Sequence, residues 1–155
     1  MPIKWMPEES AWKFLGSQTE GRLATCGQAG EPYITSVNHL VHERRIYFHC
    51  RLTGRKLENI QANPRVCFET SCGEIVAETH QSACGYTTRY NSVQAFGEAR
   101  IVSGNARKAE LLNLLAKRLA AGKQFPPISE DQATKCAVVE IAVDRISGKM
   151  NVDAE

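Results

Sequence analysis

The residues with the clearest chemical potential lie in one short run, Phe48-His49-Cys50-Arg51-Leu52-Thr53-Gly54-Arg55-Lys56-Leu57. His49 is a proton donor or acceptor near neutrality and Cys50 is a thiol. Arg55 and Lys56 set two cations side by side after a glycine. A helix starting at that glycine would aim its first backbone N–H groups and the positive end of its dipole where the two cations stand. Such a mouth is a seat for a phosphate or a similar oxyanion. Read alone, the same run is equally a solvated basic turn, so the elements around it decide.

Those elements favour the seat. Ile46, Phe48 and Cys50 alternate with Tyr47 and His49, the pattern of a half-buried strand. Thr53 stands where a hydroxyl caps a helix, Leu57 and Ile60 share a helical face, and Pro64 ends it. Upstream, residues 7–16 predict a short helix with Pro7 in its first turn, Trp12 and Leu15 facing inward and Gly16 as its stop. Residues 21–26 and 32–41 predict a hairpin around the turn 27–31. Downstream come predicted strands at 65–71, 74–79, 92–102 and 137–144. Gly97 inside one of them predicts a bulge or a close backbone approach. Residues 105–121 predict the longest helix, with Leu112, Leu115 and Leu119 in a stripe that Leu111 and Leu114 broaden. About seven short strands with hairpin connections and few helices point to an antiparallel barrel or sandwich.

Composition sets the limits. A chain of 155 residues, 43% hydrophobic, fills one core, so a single domain over residues 1–155 is expected. A net charge of +2 on 23% charged residues gives no global attraction to nucleic acid or membrane, so any anion site is local. No stretch is long and apolar enough to span a bilayer, and no secretory leader is visible at the N-terminus, so a cytoplasmic protein is expected. The six cysteines include no Cys-x-x-Cys pair, which favours reduced thiols over zinc or disulfides. No metal site is expected. His39 and His42, three apart on one predicted strand, face opposite ways and make a poor metal pair.

Several motifs follow one another in order. Gly21-Arg22-Leu23-Ala24-Thr25 is followed by Gly30, Pro32-Tyr33 and Ser36-Val37, then by Ile46-Tyr47-Phe48-His49 with Gly54-Arg55-Lys56-Leu57. Asn63-Pro64-Arg65-Val66-Cys67-Phe68 comes next, then Tyr90, Ser92-Val93 and Phe96-Gly97. This series resembles the pyridoxamine 5′-phosphate oxidase-like, FMN-binding split-barrel superfamily, in its nitroimidazole-resistance (nitroreductase-like) branch, over residues 5–150. The resemblance implies a mainly β fold with flanking helices: an antiparallel split β-barrel of six to seven strands. It also implies a homodimer with FMN at the subunit interface. Arg55 and Lys56 match the family's phosphate-holding residues. Ser36, Val37, Asn38, Tyr47, Phe48, His49 and Cys50 match positions along the flavin, and Gln61 and Ser92 are further matches.

The activity implied is that of an FMN-dependent oxidoreductase acting on a small molecule, a nitroaromatic being the suggested substrate, with His49 steering or protonating it. Haem and a deazaflavin are the alternative cofactors, and a non-catalytic carrier or sensor is the alternative function. The C-terminal residues 144–155 lack the arginine- and histidine-bearing substrate segment of true pyridoxamine 5′-phosphate oxidases, which argues against vitamin B6 oxidation. Tyr86, Arg89 and Tyr90 read either as a cover for a ring in the partner subunit or as an exposed loop. His80, near Glu78 and Cys84, reads either as pocket lining or as exposed.

Overall fold

The computed structural model describes residues 4–77 and 86–151. Their elements are β1 (Lys4–Trp5), α1 (Glu8–Ser17), β2 (Glu20–Cys26), β3 (Pro32–Asn38), β4 (Leu40–His42), β5 (Arg45–Cys50) and α2 (Arg55–Ala62). These are followed by β6 (Arg65–Ala77), β7 (Tyr86–Ile101), α3 (Asn105–Leu119), α4 (Glu130–Ala133) and β8 (Ala137–Asn151). The expected alternation is clearest in β2, where Gly21, Leu23 and Thr25 are buried between the exposed Glu20 and Arg22. Every strand pairs antiparallel with its neighbours, in the order β3-β2-β6-β7-β8-β5-β4, with β1 added beside β8.

The two ends of that order are joined by a single residue. β3 ends at Asn38 and β4 begins at Leu40, so the chain leaves one edge of the sheet and enters the other through His39. The sheet is thereby curled into a split barrel with helices at its flanks. Residues 32–41, expected as one strand, are two, because one strand cannot pair with both β2 and β5 without a break. His39 is wholly buried at the break. Its backbone N–H donates to the Thr19 carbonyl at 3.0 Å, and its Nε2–H donates to the Leu15 carbonyl at 3.0 Å. Its ring meets Phe68 edge-on, with centroids 4.8 Å apart. His42, by contrast, is half-exposed on β4.

Two further corrections concern the strands. The predicted strands at 65–71 and 74–79 are one continuous β6 up to Ala77, and β7 begins at Tyr86, well before the predicted start at residue 92. The two form one long ladder from Arg65↔Glu98 to Ala77↔Tyr86. Ladder hydrogen bonds sustain this pairing through Thr70, Ser71, Gly73, Asn91 and Ser92, where apolar alternation fades. At Gly97 both expected features occur. The β7–β8 register shifts between Phe96 and Gly97, and a Cβ there would lie 2.1 Å from the Ala142 carbonyl oxygen.

Two apolar clusters hold the structure. The first fills the barrel with Leu23, Ile46, Phe48, Phe68, Val93 and Ile141, closed by Ala11 and Leu15 from α1 and by Leu57 and Ile60 from α2. The second lies on the outer face of β5 and β8, where Tyr47 and Val138 are covered by Ala109, Leu111 and Leu112 of α3 and Ala133 of α4. Burial on both faces explains why Tyr47, expected on the polar side of its strand, is 2% exposed. It also explains the α3 stripe, in which Leu111, Leu112 and Leu115 are buried while Leu119 is exposed.

Candidate functional site

β5 delivers the chain to the mouth of α2. The turn into the helix depends on Gly54, whose φ of 130° lies where an L side chain is strained. Gly54 is also the N-cap, with no side-chain cap hydrogen bond, so the expected Thr53 cap is not formed. The Gly54 carbonyl accepts the first helical N–H bonds, from Leu57 at 2.9 Å and Glu58 at 3.2 Å. The N–H groups of Arg55 and Lys56 precede those bonds and have no acceptor within the helix. Leu57 and Ile60, buried against the barrel, hold the short helix in place.

A cavity of about 190 Å³ opens here, lined by Tyr33, Cys50, Arg51, Thr53, Arg55 and Lys56 among others. The Arg55 guanidinium lies over the Tyr33 ring, 4.8 Å from its centroid, and pairs with Glu31 at 2.7 Å. The Lys56 ammonium sits 5.5 Å from the Phe48 ring centroid. Burial raises the pKa of the Cys50 thiol above its ordinary value, and the Lys56 charge pulls it the other way without reversing it. Cys50 is therefore a protonated thiol at neutral pH, and a wall rather than a nucleophile.

The other sequence-derived candidates are distributed around this seat. Phe48 faces the barrel core, whereas the following residue, His49, is exposed on the outer face of β5, paired with Val138. Val37 is buried in the barrel and Ser36 and Asn38 are exposed on the other face of β3. β3 approaches β5 across the opening of the barrel without pairing to it. Gln61 is exposed on α2. Ser92 donates to Glu69 at 3.4 Å and lines a separate cavity of about 370 Å³ with Trp5, Tyr90, Phe96 and Arg145. Tyr47 belongs to a third cavity, beside α3.

The structure thus brings Arg55, Lys56 and Cys50 together with Arg51 and Thr53 of the same run and adds Tyr33 and Glu31, which sequence reasoning did not place there. Proximity of Glu31 and Tyr33 follows from the β2–β3 hairpin folding over α2, a signal carried by the pairing and not by the run 48–57. Tyr90 half-faces its cavity, and Tyr86 begins β7. His80 and Cys84 lie outside the described residues.

Comparison with known proteins decides the family. Residues 7–150 match the family model described as pyridoxamine 5′-phosphate oxidase. The chain belongs to the pyridoxamine 5′-phosphate oxidase family. Among solved structures of the same fold is a candidate 5-nitroimidazole antibiotic resistance protein from Bacteroides thetaiotaomicron, with a TM-score of 0.80 and 22% identity over 96% of this chain and 89% of that one. The FAD and haem binding protein from Mycobacterium smegmatis has a TM-score of 0.81 at 17% identity, over 97% of this chain and 77% of that one. The flavocytochrome Anf3 from Azotobacter vinelandii has a TM-score of 0.80 at 22% identity, over 97% of this chain and 70% of that one. No curated protein matches the sequence. In this member of the family, β8 runs on to Asn151 as a paired strand, so the segment after Asp144 is part of the sheet.

Proposed function

We propose that this protein is an FMN-dependent oxidoreductase whose cofactor phosphate is held at the mouth of α2. The observation that carries the reading is the meeting of Arg55 and Lys56 on one small cavity at a helix start, where the first N–H groups have no acceptor within the helix. Each charge-assisted contact to a dianionic phosphate contributes about 1.5–3 kcal/mol, enough for a local anchor on a chain of low net charge. The donors fit a phosphate, and the cavity of about 190 Å³ is too small to enclose a flavin ring as well. A second wall is needed, and a homodimer with the cofactor at its interface supplies one. The exposed Leu52 beside the seat and Ile34 on β3, 57% and 66% exposed, support such a partner surface.

When bound, the flavin supplies the electron transfer, so the protein has to hold, orient and shield it. Arg55 and Lys56 anchor the phosphate, Tyr33 orients the Arg55 guanidinium, and Glu31 is the exposed counter-charge that the phosphate displaces. His49, exposed on the outer strand face, gives or takes the proton at the substrate. A nitroaromatic is the proposed substrate class, supported by the fold shared with the nitroimidazole-resistance protein. Titration of purified protein with FMN should give saturable binding and flavin fluorescence quenching, and reduced nicotinamide should drive steady loss of a nitroaromatic. Absence of saturable FMN binding would overturn the reading.

Haem is the second reading, supported by two solved structures of this fold named for flavin and haem together and by the exposed imidazole of His49. The visible spectrum of fresh protein separates the two, because a haem Soret band and a flavin band differ plainly. A tightly held cofactor without turnover would instead indicate a carrier or sensor.

A further inference from the structure

A second polar cavity, of about 410 Å³, lies on the outer side of the barrel at the start of α3. Three arginines from three different elements line it: Arg45 from β5, Arg100 from β7 and Arg107 from α3. Two of them, Arg45 and Arg100, are organised by one carboxylate. Glu140 on β8 stands in register with Tyr47 on one side and Arg100 on the other, so cross-strand pairing places all three side by side. Its side chain is 9% exposed. Oε1 accepts from Arg45 at 2.9 Å and from the Arg100 Nε and terminal nitrogen at 2.8 and 2.7 Å, and Oε2 accepts from the Tyr47 hydroxyl at 2.9 Å.

Each guanidinium carries five N–H donors in a rigid fork. Glu140 takes one from Arg45 and two from Arg100, so both forks are fixed while most of their donors remain uncommitted to it. The side chains of Arg45, Arg100 and Arg107 are 40%, 71% and 37% exposed, which leaves their charges reachable from the cavity. Arg107 also lies 3.8 Å from Glu43 and pairs at 2.7 Å with Glu110, an exposed carboxylate outside the cavity wall. Along the wall itself, three guanidiniums face the carboxylates of Glu43 and Glu140, and Glu110 outside the wall balances Arg107, so the cavity offers uncommitted guanidinium donors at little net charge. Ser103 adds a hydroxyl, and Ile101 and Val102 add an apolar patch.

We infer that this cavity is a second ligand site, for a small organic monocarboxylate whose carboxylate meets the arginine forks and whose compact apolar body lies on Ile101 and Val102. The volume falls within the range of small-molecule pockets. A single carboxylate is planar and matches the uncommitted N–H pairs of a guanidinium fork, whereas a phosphate dianion would be opposed by Glu43 and Glu140. The inference is independent of the proposed phosphate seat, whose lining shares no residue with this cavity; of the positions the resemblance sets along the flavin, Tyr47 alone lies here.

Titration of the full chain with benzoate, followed by backbone amide NMR, tests it. Benzoate should give saturable shifts at residues 100–107, and benzamide, of the same shape without the charge, should give none. Arg100→Ala should weaken benzoate by ~tenfold or more, and the double change R55A/K56A should leave it unaltered. Where Arg100→Ala disturbs resonances throughout the barrel, Arg107→Ala, which leaves Glu140 and its partners in place, answers the same question. Equal binding of benzamide, tighter binding of inorganic phosphate than of benzoate, shifts gathered at Arg55 and Lys56, or affinity unchanged in the arginine variants would each overturn the inference.

Discussion

The mouths of α2 and α3 are built from the same parts and arranged differently. Each helix begins at a glycine with positive φ, Gly54 at 130° and Gly104 at 82°, and neither has a side-chain cap. Each mouth carries more than one cation, Arg55 and Lys56 at α2 and Arg45, Arg100 and Arg107 at α3. The carboxylates differ. At α3 Arg45 and Arg100 are tied to Glu140, which is buried in the middle of a paired strand. At α2 Arg55 is tied to Glu31, 69% exposed next to the hairpin turn. A buried carboxylate cannot leave without stranding its partners, so it becomes scaffold and fixes the forks around it. An exposed one is exchangeable with solvent or with a competing anion. Burial of the counter-charge, more than the number of cations, separates a permanent arginine frame from a cation whose partner is exchangeable, as the proposed phosphate seat requires.

The largest effect expected from this contrast is on cofactor binding. Arg55→Ala and Lys56→Ala should each weaken FMN by roughly 10- to 100-fold, from about 1.5–3 kcal/mol per charge-assisted contact, with far-UV circular dichroism unchanged. Fluorescence titration measures it. Equal loss from Arg107→Ala would erase the distinction between the two mouths.

Stability should respond in the opposite place. Glu140→Ala strands Tyr47 and two partly exposed arginines and should cost about 2 kcal/mol of unfolding free energy, while Glu31→Ala should stay within about 0.5 kcal/mol. Urea denaturation of the two variants compares them directly, and similar losses would mean that burial does not set the difference.

Both mouths depend on the closure of the barrel at His39. Burial, aided by the nearby Arg118 charge, lowers the His39 pKa below the ordinary value, and the Leu15 hydrogen bond only partly opposes this. The unfolded chain therefore binds a proton near pH ~6.5 that the folded chain refuses, and stability falls as pH drops below that value. Thermal unfolding at about pH 7 and about pH 5 should show the loss, and His39→Gln should flatten it. A wild-type slope retained in that variant would assign the acid sensitivity elsewhere.

The smallest effect sharpens the seat alone. Glu31→Gln removes a carboxylate that competes for Arg55 and should tighten FMN by about two- to fivefold while leaving riboflavin, which lacks the phosphate, unchanged. An equal change for both ligands would show that Glu31 does not act on the phosphate.

Legibility in the sequence followed locality. The basic helix mouth was readable because strand, glycine and cations are contiguous from Phe48 to Leu57, and the ordered motifs pointed to the family. The amphipathic α3 was readable from its leucine spacing. The long β6–β7 ladder was not, because polar and glycine residues in its middle break the apolar alternation that marks a strand. Thr53 was misplaced as the cap because a hydroxyl is a general capping signal, whereas the positive φ of Gly54 is a property of the folded turn.

By itself, then, the order of residues determined the strand periods, the basic helix mouth and membership of the pyridoxamine 5′-phosphate oxidase family. Those are short-range properties, set by side-chain alternation and by neighbours along the chain. Only the tertiary structure decided that His39 turns one expected strand into the closure of a barrel, that Glu31 and Tyr33 hold Arg55, and that Arg45 and Arg100 meet at Glu140 with Arg107 on the same cavity wall. The physical reason is the same in each case. Burial and cross-strand register are set by the whole sheet, and they alone decide which charges become fixed neighbours.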